Sequence, residues 1–363
     1  MARRRQNARS VKFEHRLVLA NWMLDLFGVA TFGDLGKHIR EPGLEGFTEE
    51  GISRFHQSLK LVFDRPELPN DLLLAYDENI VRHWKAITER RNADEQNLYP
   101  KYFQYLSLLF TEIYLDRYFR GPERLLEDLN AYAEQFNRGQ TLQQQALGQL
   151  FATGLPTDVQ IRTYVPEDLR KLAFWSATGS GKTLLMHVNI LQYRHYLRLH
   201  GRESDLNRII LLTPNEGLSH QHLAEFRLSG MEADLFDKDA GGLFTGKAVE
   251  IIDVHKLRET TGDKTVAVDA FESNNLVLVD EGHRGTTGAE VGHWMQMRNR
   301  LCEKGFSFEY SATFGQAMKA SGSKDLPHEY AKCVVFDYSY KYFYGDGYGK
   351  EYRIFNLEDD SNE

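Results

Sequence analysis

Residues 176–183 read Ser-Ala-Thr-Gly-Ser-Gly-Lys-Thr, SATGSGKT, and lie between the short apolar run Leu172–Trp175 and the helix-competent run Leu184–Leu197. That order is strand, glycine-bearing loop, helix start. Gly179 and Gly181 let backbone N–H groups approach an oligophosphate closely, and the helix behind them aims its unpaired N–H groups and positive dipole end at the same anion. Lys182 then reaches the β and γ phosphates of a nucleoside triphosphate, and the Thr183 hydroxyl ligates Mg²⁺. The cradle expected to hold ATP is therefore Thr178, Gly179, Ser180, Gly181, Lys182 and Thr183.

A second stretch supplies what a phosphate cradle lacks. The apolar run Asn275–Val279 ends in Asp280-Glu281-Gly282-His283. A carboxylate at the tip of a buried strand is costly unless it meets a cation, so Asp280 is assigned the Mg²⁺ shared with Thr183. Glu281 is placed to orient and deprotonate an attacking water. Lys182, Asp280 and Glu281 form the expected catalytic set.

From residue 156 onward strand-like and helical runs alternate. Strands are expected at 172–175, 208–213, 249–254, 275–279, 306–311 and 332–338, and helices at 182–199, 216–228, 289–302 and 316–320. Runs such as RIILLT and NLVLVD are apolar on both faces, as parallel strands between helix layers are, so the expected fold is a doubly wound α/β domain binding its ligand at the carboxyl ends of the strands. Residues 1–155 read as mostly helical, with apolar residues at helical spacing in 17–27, 52–63, 72–84, 102–118 and 125–136 and Pro or Gly between them. The aromatic-rich segment Tyr99–Phe119 has the spacing of a buried helix rather than of a base-stacking platform. Arg3–Arg5 and Arg90-Arg91 are read as solvated surface in preference to phosphate contacts.

Four stretches in order, SATGSGKT, LLTPNEGLSHQ, VLVDEGH and EYSATF, resemble motifs I, Ia, II and III of superfamily two helicases and translocases, and their wording is most similar to the Res or R subunits of type III and type I restriction enzymes. Two departures stand out: Ser176 replaces the usual first glycine of the loop, and Gly282 makes DEGH of the commoner DEAH or DEAD. The resemblance implies a RecA-like P-loop NTPase lobe at 156–345, preceded by the α-helical accessory domain 1–155 and followed by 346–363 as a linker toward a second RecA-like lobe. It further implies an ATP-dependent DNA translocase or helicase of restriction or phage defence. Ser311, Ala312 and Thr313 match motif III, which with His283 couples the phosphate site to the strand-binding face. Thr213 and Pro214 match residues that contact one nucleic-acid strand, or else form a strand-end turn feeding a helix. Asp253 and His255 are further strand-contact candidates, and Gln145 or Gln160 could read adenine. Implied partners are double-stranded DNA, tracked along one strand, a second RecA-like lobe in the same or another chain, and a modification or specificity subunit. No pattern for motifs IV to VI occurs, so turnover by this chain is expected to be very slow. No Glu-x-Lys occurs either, which removes the expectation of a nuclease site.

Composition limits the alternatives. A formal net charge of −8 argues against a protein coated in basic residues, while leaving room for a local nucleic-acid groove. Two cysteines, Cys302 and Cys333, have no metal or disulfide spacing and fit a reducing cytosol. The basic N-terminus and the apolar stretch Leu17–Ala30, interrupted by Asn21 and Asp25, read as an amphipathic helix and not as a signal peptide. A cytoplasmic protein without membrane spans is expected. The other function classes left open are a nucleotide-gated interaction module and a non-helicase P-loop ATPase.

Overall fold

Ile209–Thr213 and Leu276–Asp280 carry aliphatic side chains at nearly every position, a pattern that can be buried only by a strand covered on both faces. Both are central strands of one sheet. The computed structural model describes residues 11–94, 97–236, 249–258, 266–267, 271–281, 291–320 and 325–349. Its strands are β1 (Lys171–Ser176), β2 (Ile209–Thr213), β3 (Ala233–Leu235), β4 (Val249–Asp253), β5 (Leu257–Arg258), β6 (Val266–Ala267), β7 (Leu276–Asp280), β8 (Phe306–Ser311) and β9 (Val334–Tyr338). Seven of them form a sheet in the order β3-β4-β2-β7-β8-β1-β9, every pairing parallel, and β5 and β6 pair with each other.

The helices are α1 (Val18–Leu26), α2 (Phe32–Gly36), α3 (Arg54–Val62), α4 (Asn70–Thr88), α5 (Tyr102–Arg120), α6 (Pro122–Asn137), α7 (Leu142–Ala146), α8 (Lys182–Leu199), α9 (Glu216–Leu228), α10 (Val291–Leu301), α11 (Phe314–Ala320), α12 (Leu326–Cys333) and α13 (Tyr340–Gly345). Alternation along the strands separates two cores. Ile209, Leu211, Leu276 and Leu278 face the layer holding α8 and α9, whereas Ile210, Leu212, Val277 and Val279 pack with Met297 and Leu301 of α10. The fold is the RecA-like α/β architecture expected from the sequence.

The N-terminal helices are built onto this sheet. α5 and α4 pack on α8, and α1 covers the outer strand β9. Almost all of α5 is buried, so its aromatic residues are core, with Phe103 stacked on Tyr338 of β9 at a ring separation of 4.0 Å. A polar seam runs through the same contact: Glu112 of α5 accepts from Asn79 of α4 at 2.6 Å and from Gln192 and Tyr196 of α8 at 2.6 and 2.7 Å. On the opposite face, the fully buried pair Arg298 of α10 and Glu309 of β8 meets at 2.7 Å, with the Tyr330 hydroxyl of α12 donating to Glu309 at 2.6 Å.

Three elements differ from the sequence expectation. β3 is three residues long, too short to show an alternation. The strand expected from residue 332 begins at Val334, because Leu326–Cys333 forms a helix opened by Pro327 in its first turn. A helix, α13, follows β9 where none was expected. Arg90 is exposed and Arg91 half-buried, and both are engaged by the end of α9. Arg90 Nη1 donates to the Arg227 carbonyl at 3.1 Å, and Arg91 Nη2 donates to the Glu225 carbonyl at 3.1 Å and its carboxylate at 2.7 Å, satisfying the C-terminal end of α9. Arg3–Arg5 lie outside the described residues. Among the described residues no helix is long and apolar enough to cross a membrane.

Candidate nucleotide site

Parallel pairing puts the carboxyl ends of β1, β8, β7, β2 and β4 along one rim, and the expected site residues collect there. Ser176 closes β1, and the loop that follows reaches α8 through two glycines in the left-handed region, Gly179 and Gly181, both at φ +84°. Only glycine holds that backbone without strain. Gly181 is the N-cap of α8 and no side chain caps this end, so the first-turn N–H groups of an 18-residue helix face the loop. Thr178 and Gly179 are exposed, Ser180 is buried and Thr183 sits half-buried in the first helical turn.

The acids arrive from β7. Asp280 ends that strand beside Tyr310 of β8, and Ser311, one residue on, pairs with Trp175 of β1. Lys182 Nζ lies 3.8 Å from Glu281 Oε1. Glu281 itself has φ +57°, an uncommon value for a residue with a Cβ and one that recurs where backbone strain is part of a site. Asp280 is 9% exposed. Burial works against its ionisation, but the hydrogen bond and charge of His222, followed by the charge of Lys182, outweigh it and hold the carboxyl below its ordinary range. His222 Nε2 and Asp280 Oδ2 are 2.9 Å apart.

The residues present fit a bound anion and its metal. Ser176 Oγ, Ser180 Oγ and Thr313 Oγ1 are buried with no hydrogen-bond partner among the described residues. Unpaired buried hydroxyls are costly unless something completes them. Lys182 meets the Ser176 carbonyl at 3.5 Å and Glu281 at 3.8 Å, and its charge acts on Asp280, so the ammonium stands among the acids at the mouth of the loop. An ionised, oriented Asp280 and the Thr183 hydroxyl are the kinds of oxygen donor that Mg²⁺ takes. No group of three or more His, Cys, Asp or Glu side chains that could hold a metal by themselves exists among the described residues.

The motif III candidates lie between the acids and the loop. Thr313 N–H donates to Ser311 Oγ at 3.0 Å, and Trp175 of β1 donates from Nε1 to the Ala312 carbonyl at 3.1 Å. His283 lies outside the described residues. At the neighbouring strand ends, Thr213 pairs with Asp253, so both expected strand-contact segments share the rim. Thr213 and Pro214 are buried, however, and the Thr213 hydroxyl meets Ser219 Oγ at 2.6 Å. The Thr213 side chain therefore serves the strand-end turn, and Asn215, Glu216 and Gly217 form the exposed part of that turn. His255 is exposed beside a half-buried Asp253, which accepts its N–H at 2.9 Å. Gln145 and Gln160 are bonded to the Gln140 and Leu155 carbonyls, at 2.8 and 3.2 Å.

Two site residues escape sequence reasoning. Gln104, from the first turn of α5, donates to the Ser180 carbonyl at 2.9 Å and so fixes the phosphate loop from the helical region. His222, in the middle of α9, reaches Asp280 from a helix that the sequence marked only as a helix. Neither has a local signal: each is a polar residue on a helix, and only tertiary packing gives it an address.

A parallel sheet whose strand β1 opens into a glycine-bearing phosphate loop, with paired acids two strands away on β7, defines a helicase-type P-loop ATP-binding domain. The chain belongs to the family of the type III restriction enzyme res subunit, whose family model matches residues 130–316. No curated protein matches the chain.

Proposed function

We propose that this chain is the ATP-binding motor lobe of a DNA translocase of the restriction-subunit type, coupling ATP hydrolysis to movement along DNA in restriction or phage defence. The observation that carries the reading is the convergence of Lys182, Asp280 and Glu281 on one rim, with 3.8 Å between Lys182 Nζ and Glu281 Oε1. In this reading residues 156–345 are the motor lobe, residues 1–155 its helical accessory, and residues 346–363 lead toward a second RecA-like lobe in the same or another chain. A modification or specificity subunit is a further partner.

The chain's own residues divide the work. The loop N–H groups and the first turn of α8 bind phosphate oxygens, and Lys182 brings a cation to the β and γ phosphates. Thr183 and Asp280 would hold Mg²⁺, which would supply charge neutralisation to the phosphates when bound. His222 keeps the Asp280 carboxylate ionised and aimed. Glu281 orients the attacking water and accepts its proton. Ser311 and Thr313 relay the state of the phosphate site to the neighbouring strand ends.

A nucleotide-gated interaction module is the second reading, favoured by the burial of Thr213 and Pro214, which withdraws two expected strand contacts. Replacing Lys182 by Ala should weaken ATP·Mg²⁺ binding at least about 100-fold, the loss expected for an unanswered phosphate charge. Thermal unfolding should stay essentially unchanged. Calorimetric titration reads the first and a melting curve the second; wild-type affinity in the variant would defeat the nucleotide assignment.

A further inference from the structure

We infer that the nucleobase of the bound nucleotide stacks on an aromatic ledge formed by Phe343 and Tyr348, on the β9 flank of the phosphate loop. The inference rests on the phosphate-loop reading above and adds the base subsite to it. Strand order sets the polarity of the ligand. β1 lies between β8 and β9, and the acids stand on the β7 side, beyond β8. A nucleotide whose terminal phosphate faces Lys182 and Glu281 therefore runs its α-phosphate and base the other way, past Gly179 toward the end of β9.

What stands on that flank is aromatic. The Ala177 N–H donates to the Tyr338 carbonyl at 2.9 Å, tying the start of the loop to the last residue of β9. α13 follows directly, and Phe343 Cζ lies 3.6 Å from where a Cβ on Gly179 would be. The Tyr348 ring is 5.5 Å from that of Phe343, at an interplanar angle of 31°. Tyr348 is 43% exposed. A half-buried Phe343 and an exposed Tyr348 beside a phosphate cradle offer aromatic surface to a flat heterocycle, since every base has a π-face.

The ledge is also held in place. Asp346, just after α13, accepts from the Tyr338 hydroxyl at 2.7 Å and from the Tyr102 hydroxyl of α5, and pairs with Arg40 at 3.3 Å. The Tyr348 N–H returns to the Phe343 carbonyl at 3.1 Å, closing the turn that carries both rings. Neither glutamine expected to read adenine competes for this role, because both are bonded to backbone carbonyls near their own positions. A surface built in this way has little ordering left to lose when a base lands on it.

Stacking without hydrogen-bond readout tolerates any base, so the ledge should add affinity for nucleotides over bare phosphate more than it selects among bases. The test titrates ATP·Mg²⁺ and tripolyphosphate·Mg²⁺ against the 363-residue chain and its variants by calorimetry. Phe343→Ala should weaken ATP roughly 10-fold to 100-fold and leave tripolyphosphate within about 2-fold, with Phe343→Tyr close to wild type for both. Should Phe343→Ala not fold, Tyr348→Ala at the exposed ring should show the same selective loss in smaller measure. Equal weakening of both ligands would mean that Phe343 merely props the loop, and no weakening of either would place the base elsewhere; each overturns the inference. Failure of the wild-type chain to bind either ligand overturns the phosphate-loop reading itself, a result distinct from both.

Discussion

Gly181 adopts φ +84° and ψ +30°, and a Cβ placed there would lie 2.3 Å from Nε2 of Gln104. Two costs therefore meet at one atom. The left-handed backbone costs a residue with a Cβ roughly 1–2 kcal/mol, and the clash displaces the side chain that holds the Ser180 carbonyl. Gly181→Ala should lower stability by about 2 kcal/mol and weaken ATP·Mg²⁺ binding in the same protein. Adding Gln104→Ala should restore part of the stability, because the clash is gone, but little of the affinity, because the loop is then unsupported and still strained. A double-mutant cycle in chemical denaturation and calorimetry checks both; strict additivity would remove Gln104 from the account. The loop glycines were legible in the sequence because their spacing is a backbone requirement. Gln104 was not, since α5 reads as a buried helix with no reason to expect one of its amides at the phosphate loop.

At the scale of elements, the polar seam between α4, α5 and α8 turns packing into a pH response. Glu112 is fully buried, and burial pushes its pKa up to about 7, partly offset by hydrogen bonds from Tyr196, Asn79 and Gln192. The unfolded chain has a carboxyl near 4.5, so between that pH and about 7 the folded state binds more protons than the unfolded one. Stability contributed by the protonated form is complete at pH 4.5 and below and is lost as pH rises through 7. The change is on the order of 3 kcal/mol. Glu112→Gln mimics the neutral form, with the Tyr196 hydroxyl free to rotate and accept. Urea unfolding between pH 5 and 7.5 should therefore show wild-type stability falling more steeply than that of the variant, and parallel curves would contradict the shift. α9 shows the same principle of an element defined by its contacts. Asn215 caps its start by accepting from Leu218 N–H at 2.9 Å, His222 in its middle meets Asp280, and Arg90 and Arg91 close its end. Its limits, Glu216–Leu228, are those expected for a helix between two strands, whereas its partners had no trace in the sequence.

For the whole molecule, the question is whether the phosphate site and the strand-end rim act together. A motor lobe predicts that DNA raises the steady-state rate of phosphate release severalfold over a slow basal rate, and that Glu281→Gln removes both rates while ATP still binds. Slow turnover indifferent to single- and double-stranded DNA would favour the interaction module instead. What the sequence by itself determined was everything governed by short-range rules. Aliphatic runs had to be buried parallel strands, the glycines had to supply a left-handed turn between strand and helix, and the acid pair had to stand at the tip of one such strand. Tertiary structure alone decided which distant groups complete those features: Gln104 beneath the loop, His222 on Asp280, Phe343 beside Gly179, and an N-terminal helical region that covers the sheet. The physical reason is range. Backbone geometry and hydrophobic periodicity are written within a few residues of where they act, but a side-chain hydrogen bond between segments 58 or 76 residues apart has no periodic trace in the chain and exists only once the layers have packed.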